Sequence, residues 1–595
     1  MKTPDLNRWV DPGRDVGILL FAQRLEEAVF HYSADSDKAR ALNTLTRCLE
    51  LESATKEVRK EGLPSHILTP MVQELAASLR SDHVARSILG PVGHHLARQD
   101  RWDVSSPRAV ERQARLVRSK LEGPYEEALV DELRRVLPDG KEKRLICSLV
   151  SDLVVCLLHR RFSKEHIYAS VRDAFFLGGK AAPRVDGLNS FEDFISRFPH
   201  TPRKWDVLLR ASPDVKKLRI IVNDICELHD TAPNARTTWA KEKDFLSATH
   251  PGPYLLFRGV EAGDARAALA RCQGTLRRIA SFAALHAHRQ EFKTDGQGLV
   301  YGDDGRFIVL PTRTAPIHKH AEGRAFQLPS RVRRTAELVT PYIGSGTFDR
   351  FVASLKMHET AVRAESNEEQ LYALWTALEA LLPFEDAESR IGRMVEFLVP
   401  LLSWEYPAML LRTLDQSLTA CLGNSWEDEL GAYPAGLDRL EKVSNVVAAV
   451  DAQPARDRLF ALLDDHPLLK FRLFELSEKL LAADRIRDTI KDHERRIEWQ
   501  LRRVYRTRNS LVHTGRSLPY LEVIVENTHA YLMRVLMIGQ FYFGSDPRAI
   551  DLDGALLEAR VRHESHIDVL VQAGNADTTT ADTAALVLGW GRSAT

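Results

Sequence analysis

The chain has 595 residues, which is room for about three to four domains of ordinary size. Hydrophobic residues make up 44% and charged residues 28%, the composition of an ordinary soluble protein that can bury large cores. Lys plus Arg and Asp plus Glu both number 82, so the net charge gives no sign of nucleic-acid binding, and any basic surface has to be local.

Cysteine usage and hydropathy bear on the compartment. The six cysteines show no Cys-x-x-Cys spacing, which argues against a disulfide framework and against a structural zinc site. The first residues lack the apolar core of a signal peptide, and no run of about 18 uncharged apolar residues occurs. We therefore expect a cytoplasmic protein without a membrane segment.

The first region, 1–200, is predicted to be mostly helical. Residues 144–158 are apolar around most of the helix circumference, which predicts a buried helix. Ser163 is followed by an acid in the first turn, as is typical of a helix N-cap, so a second helix is predicted to begin there.

The hydrophobic period changes over 203–335, where an α+β domain is predicted. Residues 205–210 and 253–260 are typical of strands, and 260–288 carries apolar residues at helical spacing. Residues 299–310 contain a Gly-Asp-Asp-Gly turn between two apolar runs and predict a β-hairpin.

A link rich in Pro and Arg at 329–334 leads to a predicted helical domain at 345–545. Residues 546–595 are predicted to form a tail, in which the Thr/Asp cluster 577–583 has little to pack and is expected to be partly mobile or an attachment segment. The predicted fold class is therefore mainly α and multidomain, with a helical amino-terminal region, a small central α+β domain and a carboxyl-terminal helical bundle.

The most informative segment is 499–516, which contains no Asp or Glu. Within it, Arg508, Asn509 and His513 place a guanidinium, a carboxamide and an imidazole on one short stretch of helix. A guanidinium can bind a phosphate through two parallel N–H donors, and an imidazole titrates near neutral pH. Together they are a minimal set of groups for cleaving RNA without a metal ion. Asn509 and His513 share one helix face, whereas Arg508 is turned away and needs its long stem, or a second subunit, to meet the same phosphate.

Further arginines of this segment are candidate RNA contacts, namely Arg502, Arg503, Arg506 and Arg516. Most charged runs are solvated helix faces, and Glu498 is the nearest of several earlier acids that are available as partners. The simpler interpretation of 513–515 is a helix end, because a cationic last turn suits the helix dipole and Gly515 is a good stop. That interpretation does not explain a run of arginines without an acid among them.

Glu379 lies among leucines on an apolar helix predicted at 374–382. Two roles stay open for it: an exposed acid on the polar face, or a carboxylate that pairs with Arg508 or Arg506 and orients it. An unpaired acid at this place would be costly if it were buried.

The segment resembles the active-site helix of the HEPN superfamily, whose signature is an Arg, a polar residue that is often Asn, and a His a few positions later. The context is similar to the ApeA-like branch found in bacterial anti-phage proteins, and the resemblance covers roughly residues 345–545. The flanking residues that carry it are Trp499-Gln500, Tyr505-Arg506, Val512-His513, the helix at 374–382, and His466-Pro467-Leu468-Leu469 with Arg472.

This resemblance implies a small helical bundle, usually dimeric, in which two copies of the motif face one cleft. It implies metal-independent endoribonuclease activity in many members, and binding without catalysis in others. In one toxin branch a Tyr follows shortly after the His and is nucleotidylated by a partner. Here Gly515 stands at that position, so we do not expect regulation of that kind.

Other motifs carry little chemistry. The histidine pairs at 94–95, 286–288 and 318–320 lack the spacing or the nearby acids of a metal site. The glycine turns at 302–305 and 344–346 are not followed by Gly-Lys-Ser/Thr, which argues against a phosphate loop and against ATP hydrolysis. We expect neither a metal nor another cofactor.

With the resemblance, the sequence predicts an endoribonuclease that attacks RNA (tRNA or mRNA) through its 2′-OH, as an anti-phage or abortive-infection effector. It would form a homodimer or a higher even oligomer, with Arg508, Asn509 and His513 as catalytic residues. The alternative is a non-catalytic RNA-binding or partner-docking module in a defence complex. A third hypothesis places the main function in the first 330 residues, such as sensing a phage-derived trigger.

Overall fold

Helices make up most of the chain, and one small antiparallel sheet interrupts them, in the computed structural model of the protein. The predicted mainly α class is therefore confirmed. The structure describes residues 6–30, 38, 40–62, 64–178, 183–236, 239–286, 292–312, 328–342, 345–382, 390–514, 518–543 and 551–589. Among the helices of these residues, none alone combines the length and the apolar character needed to cross a membrane.

The amino-terminal region is helical, as predicted. Its helices are α1 Val16–Val29, α2 Thr44–Glu61, α3 Thr69–Ser81, α4 His83–Leu89, α5 Pro91–Leu96, α6 Pro107–Leu121, α7 Tyr125–Val136 and α8 Lys143–His159. Helix α8 is the predicted apolar helix, and Ile146, Val150 and Val154 on it have no exposed surface. Helix α2 begins with a capping box between Asn43 and Thr46 and ends at Gly62, whose φ of 65° lies in the left-handed region that favours glycine.

A sheet follows, with short helices around it. These elements are α9 Lys164–Val171, α10 Gly187–Ser196, β1 Arg203–Ala211, α11 Arg219–Asn223, β2 Glu227–His229, α12 Ala240–Ser247, β3 Tyr254–Ala262, α13 Ala265–Ala284, β4 Thr294–Gly302 and β5 Phe307–Pro311. The strand order is β2-β3-β1-β4-β5, and every neighbouring pair is antiparallel. The predicted strands, the helix and the hairpin are confirmed, and Ser163 caps α9 as predicted.

The two faces of the sheet bury different cores, because successive strand residues point to opposite sides. Val207 and Leu209 pack on the face that α13 covers with Leu269, whereas Leu208 belongs to a second cluster with Phe245. The alternation along β1 thus sets which residues each core receives.

The remaining chain is helical. Its helices are α14 Leu328–Val339, α15 Gly346–Arg363, α16 Asn367–Leu381, α17 Arg390–Ser403, α18 Tyr406–Leu422, α19 Asn424–Gly431, α20 Arg439–Ala448, α21 Gln453–Leu462, α22 Pro467–Leu480, α23 Ala483–Thr514, α24 Leu521–Phe543, α25 Leu552–Ala573 and α26 Thr583–Leu586. Helix α16 packs on α15 and α24, and α23 packs on α17 and α25. The predicted link at 329–334 lies inside α14.

Two residues of the Thr/Asp cluster at 577–583 are buried in this bundle, so the prediction that the cluster has little to pack is wrong. Thr578 has no exposed surface, and its hydroxyl donates to the Leu480 carbonyl at 2.9 Å. Thr583 is 2% exposed, and its hydroxyl bonds the Asn445 side chain. Polar side chains can join a core where distant backbone groups satisfy them.

The chain divides into two compact units. One comprises Met1–Val155, Gly178–Leu188 and Pro316–Thr595, and the other Cys156–Leu177 and Asn189–Ala315. The first unit therefore unites most of the predicted region 1–200 with the predicted domain 345–545. Ion pairs such as Glu27 with Arg472 join the two parts, and Gln23 accepts the backbone N–H of Leu468 at 3.1 Å.

Candidate functional site

The predicted motif lies at the carboxyl-terminal end of α23, a helix of 32 residues. The buried residues Ile486, Ile490, Ile497, Leu501 and Val504 follow one another at intervals of three, four or seven residues, which is helical spacing. They form one apolar stripe along an otherwise charged helix, and this stripe holds α23 in the bundle. The cations between the stripe residues therefore point in several directions.

Among the predicted RNA contacts that the structure describes, Arg503 is the most deeply buried, with a side chain that is 2% exposed. Its Nε donates to Glu50 on α2 at 3.0 Å, and its Nη2 also bonds Glu74 on α3. Arg506 Nη2 donates to the same Glu50 at 3.2 Å and is 18% exposed. Burial closes this guanidinium off from a phosphate in solution, so Arg503 has a structural role in place of the predicted RNA contact.

Burial alone would raise the pKa of the Glu50 carboxyl, but the charges of Arg503 and Arg506 outweigh it and lower this pKa to about 2. The pKa of Glu74 is likewise lowered, because Arg503 and Arg47 outweigh its burial. Both acids are therefore ionised near neutral pH. The cluster of Glu50, Glu74, Arg503 and Arg506, called here the buried ion cluster, ties α23 to α2 and α3.

Arg502 lies on the surface of the same helix. It is 28% exposed and pairs with Glu498 at 3.0 Å, four residues earlier. An exposed pair of this kind is worth little, so Arg502 remains available to an anion that binds more tightly than a single carboxylate.

Arg508 has different surroundings. Its side chain is half-buried, and its Nη1 donates to Oδ1 of the adjacent Asn509 at 3.0 Å. Within the described part of the chain, no carboxylate lies at ion-pair distance from Arg508. The structure thus brings two of the three predicted catalytic residues into direct contact, and among the described residues most donors of the guanidinium have no partner.

Helix α16 runs beside this end of α23 in the opposite direction. The rings of Trp375 and Tyr505 are 5.8 Å apart, and one turn further on Tyr372 lies close enough to Arg508 to feel its charge. Burial raises the pKa of the Tyr372 hydroxyl, and Arg508 opposes that rise. Tyr372 is therefore a site residue that the sequence did not reveal. Only the pairing of the two helices identifies it.

Glu379 lies on α16 about two turns beyond Tyr372, and because the two helices run in opposite directions this displacement along the axis leads away from Arg508. Its Oε1 accepts a hydrogen bond from the Trp375 indole at 2.8 Å. Arg506, the other partner considered for it, is bound to Glu50. The role that the structure supports for Glu379 is to fix the Trp375 ring, which in turn contacts α23.

The remaining predicted site residues are His513 and Arg516. The backbone of residue 513 belongs to α23, one turn beyond Asn509, so both residues share one helix face. The side chain of His513 and all of Arg516 lie outside the described residues.

No protein-family model, no curated protein and no solved structure matches this chain. Its function therefore has to be inferred from its own residues.

Proposed function

We propose that the chain is a metal-independent endoribonuclease of the HEPN type, with its active site at the carboxyl-terminal end of α23. The observation that carries this proposal is the state of Arg508. Among the many arginines of α23 it is half-buried, oriented by Asn509 and opposed by no carboxylate among the described residues. Such a guanidinium is ready to bind a phosphate, and His513 follows Asn509 by one helical turn.

The chemistry is transesterification. The ribose 2′-oxygen attacks the neighbouring phosphorus, the P–O5′ bond breaks, and the products are a 2′,3′-cyclic phosphate and a 5′-OH. His513 takes the 2′-OH proton or gives one to the leaving 5′-oxygen. Arg508 stabilises the charge that grows on the phosphorane, and Asn509 holds Arg508 and the phosphate in place.

The contacts of α23 also decide which arginines enter the proposal. Arg503 and Arg506 hold the helix through the buried ion cluster. Arg502 and Arg516 are retained as contacts to the RNA backbone. The proposed site is therefore smaller than the acid-free run of arginines suggests, and it is confined to the last turns of the helix.

One motif offers one His, whereas in-line cleavage uses a base on one side of the phosphorus and an acid on the other. A two-fold dimer with two copies of the motif in one cleft supplies both. Mixing Arg508→Ala with His513→Ala protein tests this arrangement: a mixed dimer keeps one Arg508 and one His513 in the shared cleft, whereas each homodimer lacks one of the two, so the mixture should be more active than either variant alone. A fully active monomer in solution would exclude the shared cleft.

The decisive experiment incubates the purified chain with total RNA in EDTA. Cleavage is expected for RNA but not for DNA of the same sequence, which lacks the 2′-OH. His513→Ala should lower the rate by about 10²–10⁴-fold, as expected for loss of a proton-transfer group. His95→Ala, a change of the same kind at an exposed position on α5, should leave the rate unchanged.

Two results would contradict the proposal. Cleavage by His513→Ala at the wild-type rate would remove the catalytic assignment. Binding of RNA without any cleavage, also for protein taken from cells in which it is active, would favour the alternative of a non-catalytic binding or docking module.

The biological role is proposed from the HEPN resemblance alone. A cytoplasmic ribonuclease of this type would act in anti-phage defence, on tRNA or mRNA, after a phage-derived trigger or a partner releases it. Sequencing the 5′-OH ends that accumulate when the protein is induced in cells would identify the substrate, and no rise in such ends during infection would remove the defence role.

A further inference from the structure

A basic hollow opens at the surface of the amino-terminal helices, between the last turns of α2 and the start of α6. Its volume is about 640 Å³. Four cations and two hydroxyls line it, from Lys56, Arg59, Lys60, Arg108, Ser105 and Ser106. Volumes of roughly 300–1,000 Å³ are typical of sites for small ligands. The hollow is therefore large enough for a molecule the size of a nucleotide.

The charge of the hollow is not balanced. Arg59 is bonded to Glu111 at 2.6 Å, but within the described residues no carboxylate lies at ion-pair distance from Lys56, Lys60 or Arg108. Deeper on the same two helices the cations are paired, as in Arg118 with Glu52 at 2.7 Å. Three unpaired cations around one hollow repel each other, and a bound anion would relieve that repulsion.

The backbone at the start of α6 adds to the positive electrostatic potential of the hollow. Helix α6 begins at this hollow, with Ser106 as its N-cap and Pro107 in its first turn. The positive end of the helix dipole thus faces the space that the lysines surround. The N-terminus of a helix is not a binding site by itself. Here it adds positive potential to a cavity that already has an excess of cations.

We propose that this hollow binds a phosphate-bearing ligand, either a free nucleotide polyphosphate or a stretch of nucleic-acid backbone. Phosphate oxygens suit several ammonium and guanidinium groups at once. The Ser105 hydroxyl already donates to Asp103 at 2.5 Å, so the neutral donor of the hollow is the Ser106 hydroxyl. The site lies apart from the motif of α23, and its binding can be measured without cleavage. The inference therefore does not rest on the proposed ribonuclease activity.

The test measures binding of ATP, pyrophosphate and a short single-stranded oligodeoxynucleotide to the full chain, by calorimetry or fluorescence anisotropy. The oligodeoxynucleotide carries the backbone charge without a 2′-OH, so it would survive the proposed cleavage. The variant Lys60→Glu, Arg108→Glu reverses two lining charges. The variant Arg112→Glu, Lys120→Glu makes the same change in charge at exposed positions of α6 outside the hollow.

We expect the first variant to weaken binding of the true ligand class by about tenfold or more, and the control by less than about threefold. If the ligand is a nucleic-acid backbone, the dependence of log K on log salt should also become shallower by about 1.4, from about 0.7 for each lost contact. Loss for ATP and pyrophosphate alone identifies a free nucleotide, and loss for the oligodeoxynucleotide identifies the backbone.

Equal weakening by both variants would overturn the proposal, because it would show only a general effect of net charge. Failure of the wild-type chain to bind any of the three probes saturably would overturn it as well. If thermal melts show that the charge-reversal variant is unfolded, Lys56→Ala with Lys60→Ala replaces it, because these exposed side chains make no ion pair among the described residues.

Discussion

Arg503 and Arg508 lie on the same helix, five residues apart, and their surroundings are opposite. Five residues correspond to a rotation of about 140° around the helix axis, so the two side chains leave α23 on different sides. Arg503 is 2% exposed between Glu50 and Glu74, whereas Arg508 is half-buried and bonded to a neutral carboxamide. An arginine-rich helix therefore divides its cations between holding the fold and offering donors.

The largest effect is expected for the stability of the fold when Arg503, the arginine buried between Glu50 and Glu74, is replaced. Arg503→Met removes the cation and leaves Glu50 and Glu74 buried, with Arg47 and Arg506 as their remaining counter-charges among the described residues. The free energy of unfolding should fall by about 3 kcal/mol or more, as when one partner of a buried ion pair is removed. Urea denaturation followed by circular dichroism measures it.

Arg495→Met is the matched control, because Arg495 is an exposed residue of the same helix. Its unfolding midpoint should match that of the wild type. Adding Glu50→Gln and Glu74→Gln to Arg503→Met should restore part of the lost stability, since the buried charges are then gone. A wild-type midpoint for Arg503→Met would mean that the ion cluster does not hold α23.

Arg508→Lys should have the opposite pattern of effects. The unfolding midpoint should stay at the wild-type value, while the cleavage rate should fall. Lys keeps the charge but cannot present two parallel donors to a phosphate, so we expect kcat to fall by about 10- to 100-fold. Arg495→Lys should cleave like the wild type. If Arg508→Lys also retains full activity, Arg508 contributes only its positive charge and is not a catalytic residue.

How much of this contrast the sequence could reveal depends on the range of the interactions. The strands at 205–210 and 253–260, the hairpin and the cap at Ser163 follow from local spacing, and the structure has them. The partner of Arg503 is 453 residues away in the sequence, so no local pattern indicates it. Periodicity tells which face of a helix is buried but not which helix buries it, and Tyr372 was missed for the same reason.

Acid should weaken the buried ion cluster. The pKa of Glu50 is lowered from 4.5 to about 2 in the folded chain. Its contribution to stability is therefore complete above about pH 4.5 and is lost as the pH falls toward 2. The loss is at most about 3 kcal/mol, since one pKa unit corresponds to about 1.4 kcal/mol. The unfolding midpoint of Glu50→Gln should thus vary less than that of the wild type over this window, and parallel curves would show that Glu50 is not held ionised by Arg503.

The smallest expected effect is at Tyr372, and it distinguishes a phosphate site from a surface that merely lacks acids. If Arg508 binds the scissile phosphate and the Tyr372 hydroxyl donates to the same group, its loss in Tyr372→Phe should lower kcat by about 2- to 10-fold. The ring remains, so the packing of α16 and the unfolding midpoint should not change. Tyr505→Phe removes a hydroxyl one turn away, beside Trp375, and should have no effect on cleavage. Equal losses of kcat in the two variants would show that both hydroxyls act through packing. Arg508 would then bind the phosphate without a hydrogen bond from Tyr372.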